Sequence, residues 1–168
     1  MRVLFCGSGS FATPSLQAII DAGHDVVGVI TPPPRRAGRG GKVRATDVAQ
    51  LGRPPGLAVL ETDDINADPA AADIAAARPD VICVAEFGQM IGAKVRELAA
   101  IDTFNLHGSL LPELRGAAPV NWAVIRGYKQ TGVTTFSLVD RMDAGAMYVK
   151  DATEIAPGET AGQLRIRL

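Results

Sequence analysis

The sequence predicts an α/β fold: a Rossmann-like open, mostly parallel sheet with helices on both faces. Three observations predict it. Short apolar runs of strand length recur along the chain, stretches of helical composition alternate with them, and the first run ends in a glycine-rich turn leading into a helix. Runs that are apolar at successive positions, not at every second one, belong to strands covered on both faces. At 168 residues, 47% hydrophobic and 21% charged, the chain suits one folded domain rather than a disordered polymer.

Taken in order, Val3 to Cys6 predicts the first strand, and Gly7-Ser8-Gly9-Ser10 turns the chain toward a helix. Pro14 suits the first turn of that helix, Leu16, Ile19 and Ile20 supply its apolar side, and Gly23 follows its end. Val26 to Ile30 predicts the second strand, stopped by Thr31 and three prolines, and Thr31 to Arg44 reads as a linker-like loop. Leu57 to Leu60 and Val81 to Val84 predict further short buried strands. The alanine-rich stretch from Pro69 to Ala77 between them has helical composition, and Pro79-Asp80 returns the chain to the sheet. Farther on, Ala118 to Arg126 predicts a helix ended by Gly127, while Gly132 to Val139 and Ala146 to Ile155 predict two strands that pair as neighbours. Gly158-Glu159-Thr160 reads as a helix entrance with two turns left before Leu168.

Charge and composition exclude some classes of function. The net charge of -1 gives no global cationic field, so contact with nucleic acid requires a local patch. Cys6 and Cys83 both lie in apolar runs and are expected to be reduced core thiols. The start lacks a signal-peptide core, and no stretch approaches the ~18 apolar residues of a membrane span. A cytoplasmic protein without a membrane partner is expected. Two histidines without a clustered set of Cys or carboxylate residues point away from a metal site.

Gly7-Ser8-Gly9-Ser10-Phe11-Ala12 fits the dinucleotide fingerprint G-x-G-x-x-G/A between a strand and a helix. Three readings stay open: a tight turn that packs the helix on the sheet, a nicotinamide-dinucleotide turn, and a loop whose N–H groups bind an anionic group of a substrate. The second lacks the expected acid at the end of the next strand, where Thr31-Pro32-Pro33 stands. The segment Arg35 to Arg44 carries Arg35, Arg36, Arg39, Lys42 and Arg44 with no acid and three glycines. It cannot be a core strand, and it reads either as a solvated face or as a cationic arm for a phosphate backbone.

The chemistry centres on Asn105-Leu106-His107-Gly108-Ser109-Leu110-Leu111-Pro112 and the following Arg115-Gly116-Ala117-Ala118-Pro119. Asn105 and His107 alternate at a predicted strand end and so share a face. A second polar loop, Asp140-Arg141-Met142-Asp143-Ala144-Gly145, lies between two predicted strands. Sites in open α/β sheets sit outside the carboxyl ends of the strands, where both segments are expected to converge. An Asn donates to a developing oxyanion, a His donates or moves a proton, and an Asp orients the imidazole. That trio suits acyl transfer to an amine. No Ser or Cys in a nucleophile elbow accompanies it, which favours direct attack by the acceptor. His24, in Gly23-His24-Asp25, reads as a surface turn.

At these residues the chain resembles the folate-dependent formyltransferases, whose hallmark is Asn-x-His-x-Ser-Leu-Leu-Pro with a later Asp-x-Gly loop, here Asp143-Ala144-Gly145. The resemblance spans essentially the whole chain. Arg115-Gly116-Ala117-Ala118-Pro119, the first glycine turn and the basic loop are similar to the branch that formylates the methionyl amino group of initiator tRNA. The resemblance implies 10-formyltetrahydrofolate as formyl donor and initiator methionyl-tRNA as partner, in a monomer without a metal. It implies that Asn105 and His107 stabilise the oxyanion and that Asp143 holds His107 and assists proton transfer. It assigns the folate pocket to Phe87, Gly88, Gln89, Met90 and Ile91 together with Val139 and Asp140. The acceptor would meet Ser109, Leu110, Leu111 and Pro112, with Arg35, Arg36, Arg39, Lys42 and Arg44 on the RNA. Against the family pattern, Glu113 stands where a basic or bulky polar residue is usual, which would weaken a phosphate contact. Residues 1–168 would form the catalytic domain without its C-terminal end and without the family's second, OB-like domain. Two alternatives are an N-formyltransferase acting on a sugar nucleotide, whose branch shares the Asn-x-His run and the Asn121-Trp122 pair, and a non-catalytic remnant that binds folate or RNA.

Overall fold

The computed structural model describes residues 1–37 and 41–168. The chain divides into two compact units, Met1–Thr103 and Phe104–Leu168.

The first unit is built on strands β1 (Arg2–Gly7), β2 (Asp25–Thr31), β5 (Val59–Glu61) and β6 (Val81–Ala85), ordered β5-β2-β1-β6 with every neighbouring pair parallel. β6 is buried at all five positions and β1 from Val3 onward, as continuous apolar runs in a covered parallel sheet must be. Helix α1 (Thr13–Asp21) carries proline in its first turn and seats Leu16 in the core. α3 (Asp68–Ala77) buries Ala70, Ala71 and Ile74 and ends where Arg78 adopts a left-handed conformation at φ 46°. The order of strands reverses between β1 and β6, so the ends of those two strands, Gly7 and Ala85, frame the topological switch point of the unit.

The predicted elements are present, with differences that have local causes. The linker-like loop contains an antiparallel ribbon of β3 (Arg35–Ala37) and β4 (Lys42–Arg44), separate from the main sheet and solvated, which is why no apolar pattern announces it. A short α2 (Asp47–Gly52) follows, its first turn capped by Thr46, whose Oγ1 accepts from the Ala49 N–H at 3.1 Å. β5 starts two residues later than its apolar run, because the Leu57 N–H donates to the Gly52 carbonyl and belongs to the turn after α2. α4 (Ala93–Arg96) is a single turn, too short to leave a periodic signal. Cys6 and Cys83 are free and buried. Burial pushes the Cys83 thiol up to about 12 and the Cys6 thiol higher still, so both stay protonated.

In the second unit β7 (Asp102–His107, entering from the end of the first), β8 (Gln130–Ser137) and β9 (Met147–Glu154) form an antiparallel meander in the order β7-β8-β9. β8 ends two residues before its apolar run does, and Val139, 42% exposed, lies in the turn. α5 (Pro119–Ile125) and α6 (Ala161–Arg167) bury Val120, Ala123 and Leu164. The closing helix has a full capping box, with Thr160 and Gln163 exchanging hydrogen bonds. Among the described residues, no helix is long and apolar enough to cross a membrane.

Candidate active site

β7 delivers Asn105 and His107 at alternate positions, Asn105 opposite Phe136 and His107 opposite Thr134 in β8. His107 is 7% exposed and lies edge-on to Phe136 at 6.4 Å between ring centroids, so its plane is set by packing. Its Nε2 sits 2.9 Å from the carbonyl oxygen of Leu114. A carbonyl only accepts, so Nε2 carries the proton of the neutral ring and Nδ1 carries the lone pair. Nδ1 in turn faces Asp143 Oδ2 at 3.9 Å. Asp143 is thus the charged side chain that faces the free ring nitrogen of His107. Asn105 is half-buried, and its amide makes no hydrogen bond to any described residue, which leaves it available to a ligand.

Asp143 is placed by its backbone. At φ 48° it occupies the left-handed region, and its Oδ2 accepts from the Gly116 N–H at 2.7 Å. Gly145 lets the β8–β9 turn close: a Cβ there would lie 1.7 Å from the Ser137 carbonyl oxygen. His107 and Asp143 thus meet within one unit, and Asn105 lies two positions before His107 on the same strand.

The segment after His107 is a tight, internally bonded turn. The Ser109 hydroxyl is fully buried and donates to the Glu113 carbonyl at 2.6 Å, so it is no nucleophile. Leu111 is 2% exposed and precedes Pro112 through a cis peptide bond. Leu110 packs against Gly132, where a Cβ would come within 2.7 Å of its side chain. Of these four residues, Ser109 and Leu111 hold the turn together. Glu113 accepts a hydrogen bond from Tyr128 Oη at 3.3 Å. Thr134, which no motif singled out, is buried beneath the turn: its hydroxyl donates to the Ser109 carbonyl at 2.7 Å and accepts from the Leu111 N–H at 3.1 Å. The only advance signal was a threonine inside an apolar strand.

The residues assigned to folate fall in both units. In the first, Phe87 and Ile91 are core, at 3% and 5% exposed. Gln89 spends its amide on the Thr62 carbonyl and the Ile65 N–H, at 2.9 and 2.8 Å. Gly88, at φ +79°, and the exposed Met90 are the members that meet solvent. In the second unit Val139 and Asp140 lie in the exposed turn after β8.

An open cleft of about 550 Å³ in the first unit is lined by Ser8, Gly9, Arg35, Arg44, Asp63 and Gly88, among others. Arg35 and Arg44 are cross-strand partners on the β3–β4 ribbon and Lys42 shares their face, while Arg36 lies opposite Val43. Arg35 pairs with Asp63 at 3.0 Å, both largely solvated. Arg39 lies outside the described residues.

The glycine turn is already occupied. Glu86, directly after β6, sends Oε2 to the Phe11 N–H at 3.1 Å, and a Cβ on Gly9 would lie 2.5 Å from that oxygen. Ser8 Oγ donates to the Glu86 carbonyl, and the Ala12 N–H is taken by the Gly9 carbonyl. The chain's own carboxylate takes a donor that a dinucleotide pyrophosphate at this turn would need, which argues against the nicotinamide reading. Sequence reasoning missed Glu86 because its partner is 75 residues away.

The formyl transferase profile matches residues 1–168. A protein named methionyl-tRNA formyltransferase from Chlorobium chlorochromatii is 45% identical over 172 aligned residues, covering 100% of this chain and 54% of its own length. The chain spans about half the length of the curated relatives it matches. Among solved structures, phosphoribosylglycinamide formyltransferase from Bacillus halodurans superposes with a TM-score of 0.82 at 21% identity, over 99% of this chain and 87% of that one. A sugar 3N-formyl transferase solved with dTDP and 5-N-formyl-THF gives a TM-score of 0.70 at 20% identity, over 99% of this chain and 57% of the other. At such identities these likenesses speak for the fold alone. With the family profile running from end to end, the chain belongs to the formyl transferases.

Proposed function

We propose that the chain supplies the chemistry of an enzyme that moves the formyl group of 10-formyltetrahydrofolate to the methionyl amino group of initiator tRNA. The observation that carries this reading is an Asn105 amide that bonds to no described residue, two positions before a His107 whose Nε2–H is fixed on Leu114 and whose Nδ1 faces Asp143 at 3.9 Å. The relatives at 38 to 45% identity bear the corresponding name.

The donor set fits a formyl carrier. Two hydrogen-bond donors and one carboxylate, with the nearby Ser109 hydroxyl already committed, suit transfer to an incoming amine without a covalent acyl-enzyme. When bound, 10-formyltetrahydrofolate supplies an activated formyl group. The Asn105 amide and the Nδ1–H of a protonated His107 donate to the formyl oxygen as it gains negative charge. Asp143 stabilises the imidazolium and accepts the proton lost by the attacking amine. The new C–N bond to the methionyl nitrogen forms, the bond to the folate nitrogen breaks, and the proton ends on the departing folate nitrogen. An α-amino group with a pKa of about 7.7 is partly neutral at neutral pH, so the acceptor needs little activation beyond this. Of the residues assigned to the folate, Gly88 and Met90 in the first unit and Val139 and Asp140 in the second are the ones exposed to meet it.

The cationic ribbon favours an RNA-borne acceptor over a sugar nucleotide, which requires no such arm. The test compares formylation of charged initiator tRNA with that of amino-sugar nucleotides, using 10-formyltetrahydrofolate. Turnover of the tRNA alone is expected. Turnover of the sugar alone overturns the acceptor, and binding of folate or tRNA with no turnover of either substrate overturns the catalytic reading. Arg36→Glu with Arg39→Glu is expected to weaken tRNA binding and flatten its salt dependence by roughly one to two units of log–log slope.

A further inference from the structure

His107, Thr134 and Lys150 are directly opposite one another on β7, β8 and β9 and therefore stand in one row on one face of the meander. Thr134 holds the Leu111 N–H and the Ser109 carbonyl. Lys150 reaches past it, and its Nζ donates to the Leu111 carbonyl. Both backbone polar groups of Leu111 are thus satisfied by side chains of the neighbouring strands, and Leu111 itself is 2% exposed. The next residue, Pro112, has no N–H to offer. Three residues after Leu111 in the same turn, the Leu114 carbonyl fixes the proton of His107 on Nε2.

We propose that Lys150 is a positioning residue for His107: its ammonium, anchored on the Leu111 carbonyl, holds the 109–114 turn so that the Leu114 carbonyl stays on Nε2 and Nδ1 stays on Asp143. The residue touches no reacting atom and acts through the turn. Methionine, one atom shorter, keeps most of the apolar stem but leaves the Leu111 carbonyl without its donor, which loosens the turn. Arginine keeps both charge and donor and therefore restores the clamp.

The test labels the two histidines with nitrogen-15 and compares the ring nitrogens of His107 in the wild-type chain, Lys150→Met and Lys150→Arg, with His24 as internal reference. The wild type and Lys150→Arg are expected to show one protonated and one bare ring nitrogen, Nε2 and Nδ1 respectively, with a slowly exchanging Nε2–H. Lys150→Met is expected to average the two tautomers and lose that slow proton. Should Lys150→Met not fold, Lys150→Gln, polar but too short to reach Leu111, gives the same comparison. Wild-type ring signals in the Met or Gln variant, or an Arg variant that resembles Met, overturn the proposal. In formyl transfer, Lys150→Met is expected to lower kcat about ten- to a hundredfold with KM values held within about twofold, and Lys150→Arg to restore it. Only this kinetic arm rests on the proposed function. A tautomer shift in a chain that transfers no formyl group faults the function and leaves the clamp standing.

Discussion

Asn105→Ala separates a catalytic role from a structural one more cleanly than any other change in the site. The side chain is half-buried and bonds to no described residue, so truncation breaks no hydrogen bond and leaves no buried partner orphaned. The expected cost in stability is within about 0.5 kcal/mol, a Tm change of about 2 °C or less for a domain of this size. Loss of one oxyanion donor costs about 2.7–4 kcal/mol of activation free energy, a fall in kcat of roughly a hundred- to a thousandfold. His107→Ala is the comparison. It also removes the donor to the Leu114 carbonyl at 2.9 Å and should cost about 1–3 kcal/mol of stability on top of its rate effect. The assay pairs initial rates at saturating 10-formyltetrahydrofolate and charged initiator tRNA with thermal melts of the same samples. If Asn105→Ala keeps more than about a tenth of the wild-type rate, or melts as early as His107→Ala, the amide is not the oxyanion donor.

Gly145→Ala drives a Cβ to within 1.7 Å of the Ser137 carbonyl oxygen, so thermal melts should show a loss of about 3 kcal/mol, with the β8–β9 turn and Asp143 displaced. For the closing helix, hydrogen bonds from Arg167 and then from the Ala156 N–H hold the Glu159 carboxyl below its usual range. Its ionised form is the stabilising one, so the contribution is complete above the ordinary glutamate value of about 4.3 and is lost as pH falls through the lowered value. Melts of wild type against Glu159→Gln should differ near neutral pH and converge in acid. Glu86→Ala removes the acceptor of the Phe11 N–H and should cost about 1 kcal/mol in chemical denaturation, whereas Glu86→Gln keeps an oxygen there and should recover most of it.

Strands buried on both faces write their burial into consecutive apolar residues, which is why β1, β2 and β6 could be read directly from Val3 to Cys6, Val26 to Ile30 and Val81 to Val84. The pairing of Asn105 with His107 was legible for the same reason, since a period of two fixes which side chains share a face. Less visible was anything decided by a partner distant in sequence. Glu86 reads as one acid after a strand until Phe11, 75 positions earlier, is found to donate to it. Lys150 sits on an exposed edge strand, and only the three-strand register reveals that it spans to Leu111, 39 residues away. The β3–β4 ribbon escaped because its residues are chosen for charge, and exposed strands of three residues leave no hydrophobic alternation.

Side chains on a strand end do not by themselves make this site; the groups that face them come from residues in an uncommon backbone state. Leu114, Ala118 and Asp143 have φ of 54°, 54° and 48°. A left-handed conformation costs a residue with a Cβ roughly 1–2 kcal/mol. Two of the three bear directly on His107: Leu114 turns its carbonyl onto Nε2, and Asp143 carries its carboxylate toward Nδ1 while accepting from Gly116. The third lies at the N-cap of α5, just after Gly116, and so ends the turn at the point where the helix begins. Backbone cost is therefore concentrated where one peptide plane sets the tautomer of one imidazole, and it is offset by hydrogen bonds made there. On the proposed function, the Asn-x-His-x-Ser-Leu-Leu-Pro run is therefore not sufficient for the chemistry. A chain with those eight residues and a relaxed 109–118 turn would present the same side chains with His107 free to exchange tautomers, and Asp143 would have no fixed nitrogen to act upon.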